Sequence, residues 1–291
     1  MERYKSIIDD WEGFKQACET HAVNIARRNR VKSSDDFLEK LFKDFDVIEK
    51  PSWNENIHRL SNTEEPGKSL LHWRGDYYVQ EESAAIPVHA MNPQEGEKIL
   101  DMCASPGGKT TQIASRIENN GVVIANDKTA KRLQSLTANA YRTGSTCVTT
   151  TNYDGRNFPG REDFDRVLVD APCSGEGDRA RRTFEPAEKE ERESLSELQK
   201  KLIVRGAELL IDDGVLVYST CTIAPEENEE VVKHALENTE LELEGIEIDL
   251  PHSSGLEEFE DSKFGEELRK TIRMYPHHFN SGVIYVAKFR K

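Results

Sequence analysis

The sequence predicts an α/β protein with a mostly parallel, doubly wound sheet, preceded by a small α+β unit. From residue 79 onward, strand-like apolar segments alternate with helix-like segments, which is typical of a parallel sheet covered by helices on both faces. The chain has 291 residues and 36% hydrophobic content, enough for one such domain and a smaller companion. We therefore expect a small unit at residues 1–78 and the larger domain at residues 79–291.

The first 78 residues mix helix and strand signals. Residues 10–20 are weakly amphipathic, and residues 21–32 alternate like a strand. Residues 33–45 begin with good N-capping residues and then place apolar side chains along one helical face. A turn follows at 62–69, where Pro66 and Gly67 stand side by side.

The larger domain shows seven strand-like and five helix-like segments. The predicted strands are 98–103, 121–127, 147–154, 164–171, 214–221, 241–248 and 282–291. The predicted helices are 81–91, 107–118, 130–144, 186–210 and 225–238. In such a sheet, ligands bind at the carboxyl ends of the strands near the point where the strand order reverses.

The glycine turn DMCASPGGKT, residues 101–110, follows the first of these strands and begins a helix, where backbone N–H groups can bind a charged ligand. A triphosphate-binding P-loop does not fit, because its first glycine would stand at position 103, which is Cys. The dinucleotide fingerprint does not fit either, since only 107 and 108 are glycine. What remains is the looser turn of an S-adenosylmethionine (SAM) methyltransferase, with a plain structural connector as the alternative.

Aspartates stand where three predicted strands end. Asp127 ends the second strand, a little closer to the glycine turn than the roughly 20 residues at which a carboxylate commonly binds ribose hydroxyls. Asp154 ends the third strand, where it could bind an adenine amino group, and Asp170 ends the fourth. Any one of them could be an ordinary loop aspartate. Their common position favours a ligand site at this edge of the sheet.

The chain has five cysteines, an odd number without a C-x-x-C pair, which indicates neither a disulfide framework nor a zinc site. Cys173, in DAPCSGEGD, follows the fourth strand, and Cys221, in YSTCT, ends the fifth. Because adjacent strands lie about 4.8 Å apart, we expect these two thiols to be neighbours. For Cys18 and Cys147 we expect the common role of small buried hydrophobic residues.

Two thiols and an aspartate suit methylation at carbon 5 of a pyrimidine. A thiolate that adds to carbon 6 makes carbon 5 nucleophilic, which is covalent catalysis. A hydrogen-bonding group at ring nitrogen 3, a role we assign to Asp170, would stabilise the adduct. A second thiol could then assist loss of the carbon 5 proton and release of the first thiol.

Taken together, DMCASPGGKT, DAPCSGEGD and YSTCTIAPEENEEVV resemble, in this order, the signature motifs of the NOP/Sun family of RNA cytosine-5 methyltransferases. The resemblance covers about residues 77–291 and extends weakly into the small unit. It implies a Rossmann-like SAM-dependent methyltransferase fold. It also implies an archaeal-type enzyme that forms 5-methylcytosine in tRNA or rRNA.

The resemblance assigns roles to single residues. It implies that Cys221 is the nucleophile, that Cys173 is the product-release thiol, and that Asp170 lies between cofactor and base. Lys109, the long cation of the turn, is expected to reach into the active site. The implied SAM-binding residues are Cys103, Ala104, Ser105, Pro106, Gly107, Gly108, Lys109, Asp127, Asp154 and Asp170.

Contacts with RNA are expected from local basic clusters, because a net charge of −15 excludes a broadly basic surface. The first cluster lies in the small unit, which we interpret as an RNA-recognition module; the second follows the Cys173 loop. A solvated basic face is the alternative for the first, and ion pairs with the acidic helix at 188–193 are the alternative for the second. The clusters consist of Arg27, Arg28, Arg30 and Lys32, and of Arg179, Arg181 and Arg182 with Phe184.

The remaining expectations concern the binding partners and the cellular location of the protein. We expect a cytoplasmic monomer that needs no metal, with neither a membrane span nor a signal peptide. We favour tRNA over rRNA. We expect recognition to rest on the N-terminal module and the catalytic face, because no additional RNA-binding domain follows the catalytic one. Two alternatives stay open: a non-catalytic RNA-binding or assembly factor on the same fold, and an amino- or oxygen-methylating enzyme in which both thiols would be idle.

Overall fold

Two sheets organise the chain, a four-stranded antiparallel sheet and a nine-stranded, largely parallel one. The computed structural model describes residues 2–20, 22–61, 65–177 and 186–291. The strands are β1 Asn24–Arg28, β2 Val47–Glu49, β3 Ile57–Leu60, β4 Tyr77–Glu81, β5 Lys98–Asp101, β6 Val122–Asn126, β7 Val148–Thr151, β8 Phe164–Asp170, β9 Leu210–Thr220, β10 Glu242–Glu244, β11 Ser253–Ser254, β12 Glu258–Phe259, β13 Ser262–Lys263, β14 Ile272–Met274 and β15 Ile284–Arg290. The α-helices are α1 Trp11–Glu19, α2 Phe37–Asp44, α3 Leu70–Arg74, α4 Ile86–Met91, α5 Gly108–Arg116, α6 Ala130–Thr143, α7 Lys189–Leu209, α8 Glu229–Asn238 and α9 Pro276–Phe279.

The small sheet has the order β2-β3-β1-β4 and is covered by α2 and α3. Helix α2 buries Phe37 and Leu41 against Tyr77 of β4, as its apolar spacing predicts. Strand β4 pairs with β1 through residue 81, so hydrogen bonding of the small sheet runs past position 78. The division of the chain into units at residue 78 stays a prediction.

Helix α1 packs against the large domain and contributes little to the small sheet. Phe14 and Cys18 of α1, together with Tyr4 and Ile8, belong to the core that also contains Val169 of β8. Cys18 is thus the small buried residue that its sequence context predicts, at 2% exposure. Cys147 is half-buried at the margin of another core.

The large sheet has the order β11-β14-β15-β9-β8-β5-β6-β7, and β10 pairs with β15. Strands β5 to β9 are parallel, and the later strands join antiparallel. The chain passes from β5 to β6 on one side and returns to β8 on the other, so the strand order reverses between β5 and β8. The doubly wound, Rossmann-like fold predicted from the sequence is confirmed.

Two features differ from the prediction. The sheet has nine strands where seven were predicted, because β14 and β11 are too short to leave a period-two pattern. Of the predicted strand 241–248, only β10 forms a strand. It pairs with one end of β15, and β14 pairs with the other end.

Helix α8 begins at Glu229, four residues later than predicted. The side chains of Glu227 and Asn228 are turned into the domain, where both are fully buried. The main chain there forms turns instead of a helical first turn: Glu227 N donates to the carbonyl of Ala224 at 3.1 Å, and Asn228 N to that of Pro225 at 3.2 Å.

Candidate active site

The ends of β8 and β9 bring the two predicted thiols together. The register pairs Asp170 with Ser219, and the hydroxyl of Ser219 donates to Asp170 Oδ1 at 2.8 Å. Cys173 and Cys221 lie three and two residues beyond this pair. Their sulfur atoms are 3.3 Å apart. The spacing of adjacent parallel strands is therefore sufficient to place both thiols on one substrate atom.

Lys109 of the glycine turn reaches the same place from the start of α5. Its Nζ donates to Asp170 Oδ2 at 2.8 Å. Burial alone lowers the pKa of Lys109, but the charge and hydrogen bond of Asp170, with a smaller contribution from Cys221, raise the pKa overall. The lysine is thus a fixed cation beside the thiols and not a phosphate ligand.

The two thiols differ in protonation. The hydrogen bond to Cys221, together with burial, raises the pKa of Cys173 well above its ordinary value. Cys173 is therefore the thiol of the pair that is harder to ionise, and Cys221 is the more exposed of the two. Burial likewise raises the pKa of Cys103, which leaves that residue as an uncharged part of the turn.

Glu227 binds the loop that contains Cys173 through hydrogen bonds. Its carboxylate accepts from Ser174 N at 3.0 Å and also from the Ser174 hydroxyl. Gln199 of α7 donates to Glu227 at 2.8 Å and to the carbonyl of Pro172 at 2.8 Å, so both neighbours of Cys173 are bound. Burial raises the pKa of Glu227, partly offset by these donors.

In the glycine turn, the backbone approaches helix α6 closely, and one buried hydroxyl has no hydrogen-bond partner among the described residues. Gly107 has φ 103°, and a Cβ there would lie 2.9 Å from Leu136 Cδ1, so glycine is required. Ala104 N donates to the carbonyl of Asn126 at 2.8 Å, and the bond from Ser105 to Pro106 is cis. The hydroxyl of Ser105 is buried without a hydrogen-bond partner among the described residues.

Asp127 and Asp154 lie at the strand ends where they were predicted. Asp127 is 3% exposed; it accepts from Thr129 N at 2.8 Å and from Ser105 N at 3.3 Å, which ties the glycine turn to the end of β6. Asp154 accepts from Arg156 Nε at 2.9 Å and Lys128 Nζ at 3.0 Å. These cations, Arg156 first, hold the pKa of Asp154 well below its usual range. Their cofactor roles stay predictions.

Arg27 does not face solvent, contrary to the expectation of a phosphate contact. It is 4% exposed and donates to Gln80 Oε1 at 2.6 Å, to the carbonyl of Gly108 at 2.8 Å and to Thr111 Oγ1 at 2.9 Å. Because β1 alternates its side chains, this arginine points from the small sheet into α5. The second basic cluster, Arg179, Arg181, Arg182 and Phe184, lies outside the described residues.

One group of side chains in the described part of the chain has the composition of a metal site. Ligand atoms of Asp9, His277 and His278 lie within 4.8 Å of one another. His278 Nδ1, however, accepts from Tyr275 N at 3.2 Å, so in the neutral ring its Nε2 carries the proton toward Asp9. Hydrogen bonds account for this cluster, and the expectation of a metal-free enzyme stays a prediction.

Comparisons with known proteins agree with this geometry. The profile of the family described as 16S rRNA methyltransferase RsmB/F matches residues 88–290. A tRNA (cytosine(49)-C(5))-methyltransferase of Pyrococcus abyssi (strain GE5 / Orsay) is 38% identical over 297 residues, covering 100% of this chain and 95% of the relative. The chain belongs to the NOP/Sun family of RNA cytosine-5 methyltransferases. The family assignment made from the motifs is confirmed, and the family uses SAM.

Coverage differs among the relatives of this NOP/Sun protein. A human 28S rRNA (cytosine(4447)-C(5))-methyltransferase is 42% identical over 224 residues, which are 75% of this chain but 28% of that protein. A solved structure of a methyltransferase homologue from Pyrococcus horikoshii has a TM-score of 0.84 at 31% identity, covering 96% of this chain and 90% of that one. Within the described ranges, we find no helix long and apolar enough to cross a membrane.

The residues around the glycine turn fit SAM, which carries positive charge on its sulfonium and ammonium groups. Asp101, at the end of β5, is 1% exposed, and its Oδ1 has no hydrogen-bond partner among the described residues. A buried, unsatisfied carboxylate oxygen costs free energy unless a ligand binds it, and a cation is the matching ligand. The ten residues assigned from the resemblance, Cys103 to Lys109 with Asp127, Asp154 and Asp170, stay predicted binding residues.

Three functional residues were not predicted from the sequence. Asp101 ends a strand as Asp127 and Asp170 do, so the same signal could have identified it. Ser219 and Glu227 act only through cross-strand and loop contacts, for which the sequence has no local pattern.

Proposed function

We propose that this protein is an RNA cytosine-5 methyltransferase in which Cys221 forms a covalent adduct with the target base and Cys173 assists product release. The observation that carries the proposal is the 3.3 Å contact between the two thiols, beside the ion pair of Asp170 and Lys109. An amino- or oxygen-methylating enzyme has no use for such a pair. A scaffold protein would not need all four groups together.

The chemistry follows from the positions of these groups. The Cys221 thiolate adds to carbon 6 of cytosine, and the electron pair of the 5,6 double bond makes carbon 5 nucleophilic. SAM, when bound, supplies the methyl group. The bond between Cys221 and carbon 6 then breaks, and its electron pair returns to sulfur, which takes a proton from Cys173. The Cys173 thiolate so formed removes the carbon 5 proton, and the pair of that C–H bond re-forms the 5,6 double bond.

The other groups support the adduct and its breakdown. Asp170 and Lys109 supply an acceptor and a donor for the cytosine edge at ring nitrogen 3, where charge changes during addition. Cys173, which holds a proton in the resting pair, can return a proton to the Cys221 sulfur as it leaves. The 3.3 Å contact of the two sulfur atoms and the raised pKa of Cys173 support this division of roles.

We further propose that the substrate is tRNA in preference to rRNA. The support is the relative from Pyrococcus abyssi, a tRNA (cytosine(49)-C(5))-methyltransferase, because this chain covers 95% of its length. We also propose a cytoplasmic monomer without metal. All four catalytic groups come from one chain, and the thiolate activates carbon 5 without a Lewis acid. Five cysteines, an odd number without a C-x-x-C pair, suit a reducing compartment.

The test is incubation of the protein with radiolabelled SAM and total RNA, comparing wild type with Cys221→Ala and Cys173→Ala. We expect Cys221→Ala to lose label transfer by about 10³-fold or more, because covalent activation is removed. We expect Cys173→Ala to accumulate a protein–RNA adduct that survives denaturing electrophoresis. Separation of the labelled RNA then shows whether tRNA or rRNA is the acceptor.

Cys147→Ala is the matched control, because this thiol is half-buried and distant from the pair along the sheet order. It should transfer label at the wild-type rate. Activity retained in Cys221→Ala would contradict the assigned nucleophile. Absence of transfer in all proteins, with RNA binding intact, would favour the non-catalytic RNA-binding factor.

A further inference from the structure

Three large hydrophobic side chains are unusually exposed where α3 and α6 adjoin. Tyr141 is 88% exposed, Trp73 is 73% exposed and Leu70 is 71% exposed, the highest values for large hydrophobic residues in the described ranges. Exposed rings contribute little to folding, since they remain in water. Exposed aromatic side chains close together often mark a binding surface.

Contacts of the main chain place the ends of α3 and α6 next to each other. The ammonium group of Lys32 donates to the carbonyl of Arg74 at 3.0 Å and to the carbonyl of Arg142 at 2.8 Å. These carbonyls belong to the residues that directly follow Trp73 and Tyr141. The ends of the two helices therefore lie side by side, with one aromatic ring on each. We call this region the α3–α6 surface.

The charge of this region differs from that of the whole chain. Between residues 119 and 153 there are four basic residues and one acidic residue, whereas the whole chain has 54 acidic and 39 basic residues. The single acidic residue, Asp127, is 3% exposed. The basic residues are Lys128, Lys131, Arg132 and Arg142. Helices α3 and α6 themselves hold four Lys and Arg residues and no acidic residue. A basic helix pair on an acidic protein is complementary to a polyanion.

Helix α6 also touches the glycine turn. Arg132 donates to the carbonyl of Ser105 at 2.7 Å, and Asn139 donates to the carbonyl of Pro106 at 3.0 Å. A ligand that covers the α3–α6 surface therefore lies alongside the cofactor turn. One continuous macromolecule can contact both places.

We propose that the α3–α6 surface binds an unpaired segment of the RNA substrate. Bases stack on the rings of Trp73 and Tyr141, and phosphates lie near Lys131 and Arg74. Single-stranded RNA is commonly held by stacking on aromatic rings between basic side chains, which is the composition found here. The inference rests on the proposed function insofar as the substrate is RNA.

The first test measures the affinity of the full chain for a single-stranded, cytosine-containing RNA oligonucleotide and for total tRNA. The variants are Trp73→Ala, Tyr141→Ala and the double variant. We expect about fivefold weaker binding or more for each single variant, because each removes one stacking ring. Tyr141→Phe should bind as the wild type does, since the ring remains. Alanine is the best helix former, so Tyr141→Ala should leave the thermal midpoint unchanged.

The second test compares two charge reversals that change the net charge equally. Lys131→Glu lies in the first turn of α6, the helix that carries Tyr141, and Lys15→Glu lies on α1, which packs against α9. We expect only Lys131→Glu to weaken RNA binding and to reduce its salt dependence, because only this lysine is near phosphate. Equal effects would show that only overall charge matters, and the proposal would be wrong.

The outcomes separate this inference from the proposed function. If the wild type methylates cytosine and the aromatic variants bind RNA as tightly as the wild type, the α3–α6 surface does not bind RNA, while the proposed function is supported. If the variants lose RNA affinity but no protein transfers a methyl group to cytosine, RNA binding by the α3–α6 surface is supported and the proposed function is wrong.

Discussion

At the scale of single residues, Asp101 shows how burial sets chemistry. Thr110 Oγ1 donates to its Oδ2 at 2.6 Å, while Oδ1 is buried without a partner among the described residues. Burial raises the pKa of Asp101 to about 7. This carboxyl group is therefore close to half-protonated at neutral pH before a cation binds.

The raised pKa of Asp101 determines how the free energy of unfolding changes with pH. Between pH 3.8 and about 7, the folded protein holds a proton on Asp101 that the unfolded chain has released. This group therefore lowers the free energy of unfolding as pH rises through that window, by about 4 kcal/mol in all. We predict that Asp101→Asn removes this fall, because an amide does not titrate. Urea unfolding at pH 4.5 and pH 7.5 measures it.

The same variant should bind SAM more weakly, since an amide cannot pair with a cation, and isothermal calorimetry would detect the loss. Stability and binding then change in opposite directions at pH 7.5. A variant whose unfolding free energy depends on pH just as the wild type's does would refute the role given to Asp101.

At the scale of elements, the loop after β8 is fastened to the end of β9. Gly177 N donates to the carbonyl of Cys221 at 2.9 Å. A Cβ on Gly177 would lie 2.5 Å from that carbonyl oxygen and 2.9 Å from Val283 Cβ. Because both obstacles are parts of ordered strands and loops, the Cys221 backbone would have to move.

We predict that Gly177→Ala lowers the turnover number about tenfold or more, because small misplacements of a nucleophile are costly. SAM affinity should stay unchanged, since the glycine turn is on another strand. Gly245→Ala is the control, because no heavy atom lies within 4 Å of its added Cβ. Single-turnover kinetics of both variants would decide, and equal rates would contradict the prediction.

At the scale of the whole molecule, Arg27 connects the small sheet to the glycine turn. Its guanidinium stands 5.0 Å from the centre of the Tyr78 ring and donates to the first turn of α5. Burial lowers the pKa of Arg27 to about 9, so the group is still charged at neutral pH. The small sheet and helix α5 thus share a buried cation.

We predict that Arg27→Met lowers the free energy of unfolding by about 3 kcal/mol, because several buried acceptors lose their donor. SAM affinity should fall as well, since Gly108 is among those acceptors. The neighbouring Arg28→Met, a partly exposed site on the other face of β1, should cost less than about 1 kcal/mol. Urea unfolding and calorimetry measure both, and equal losses would argue against this link.

Much of this architecture could be predicted from the sequence. The alternation of strand-like and helix-like segments predicts the parallel sheet, and the motifs at 101–110, 170–178 and 218–222 predict which strand ends carry the chemistry. These signals are local, because hydrophobic periodicity and turn residues act within a few positions of the chain. Cys173, Cys221, Asp170 and Lys109 could each be identified in this way.

Only the tertiary structure decided the properties that depend on distant partners. The raised pKa of Cys173 requires the 3.3 Å contact with Cys221, and the burial of Arg27 requires α5 to pack on β1. Strands as short as β14 form because β15 supplies their hydrogen bonds. Desolvation and cross-strand register are set by residues far apart in sequence, so no local pattern reports them. The sequence by itself determined which groups are candidates for the chemistry; packing determined which thiol has the raised pKa and which is the more exposed.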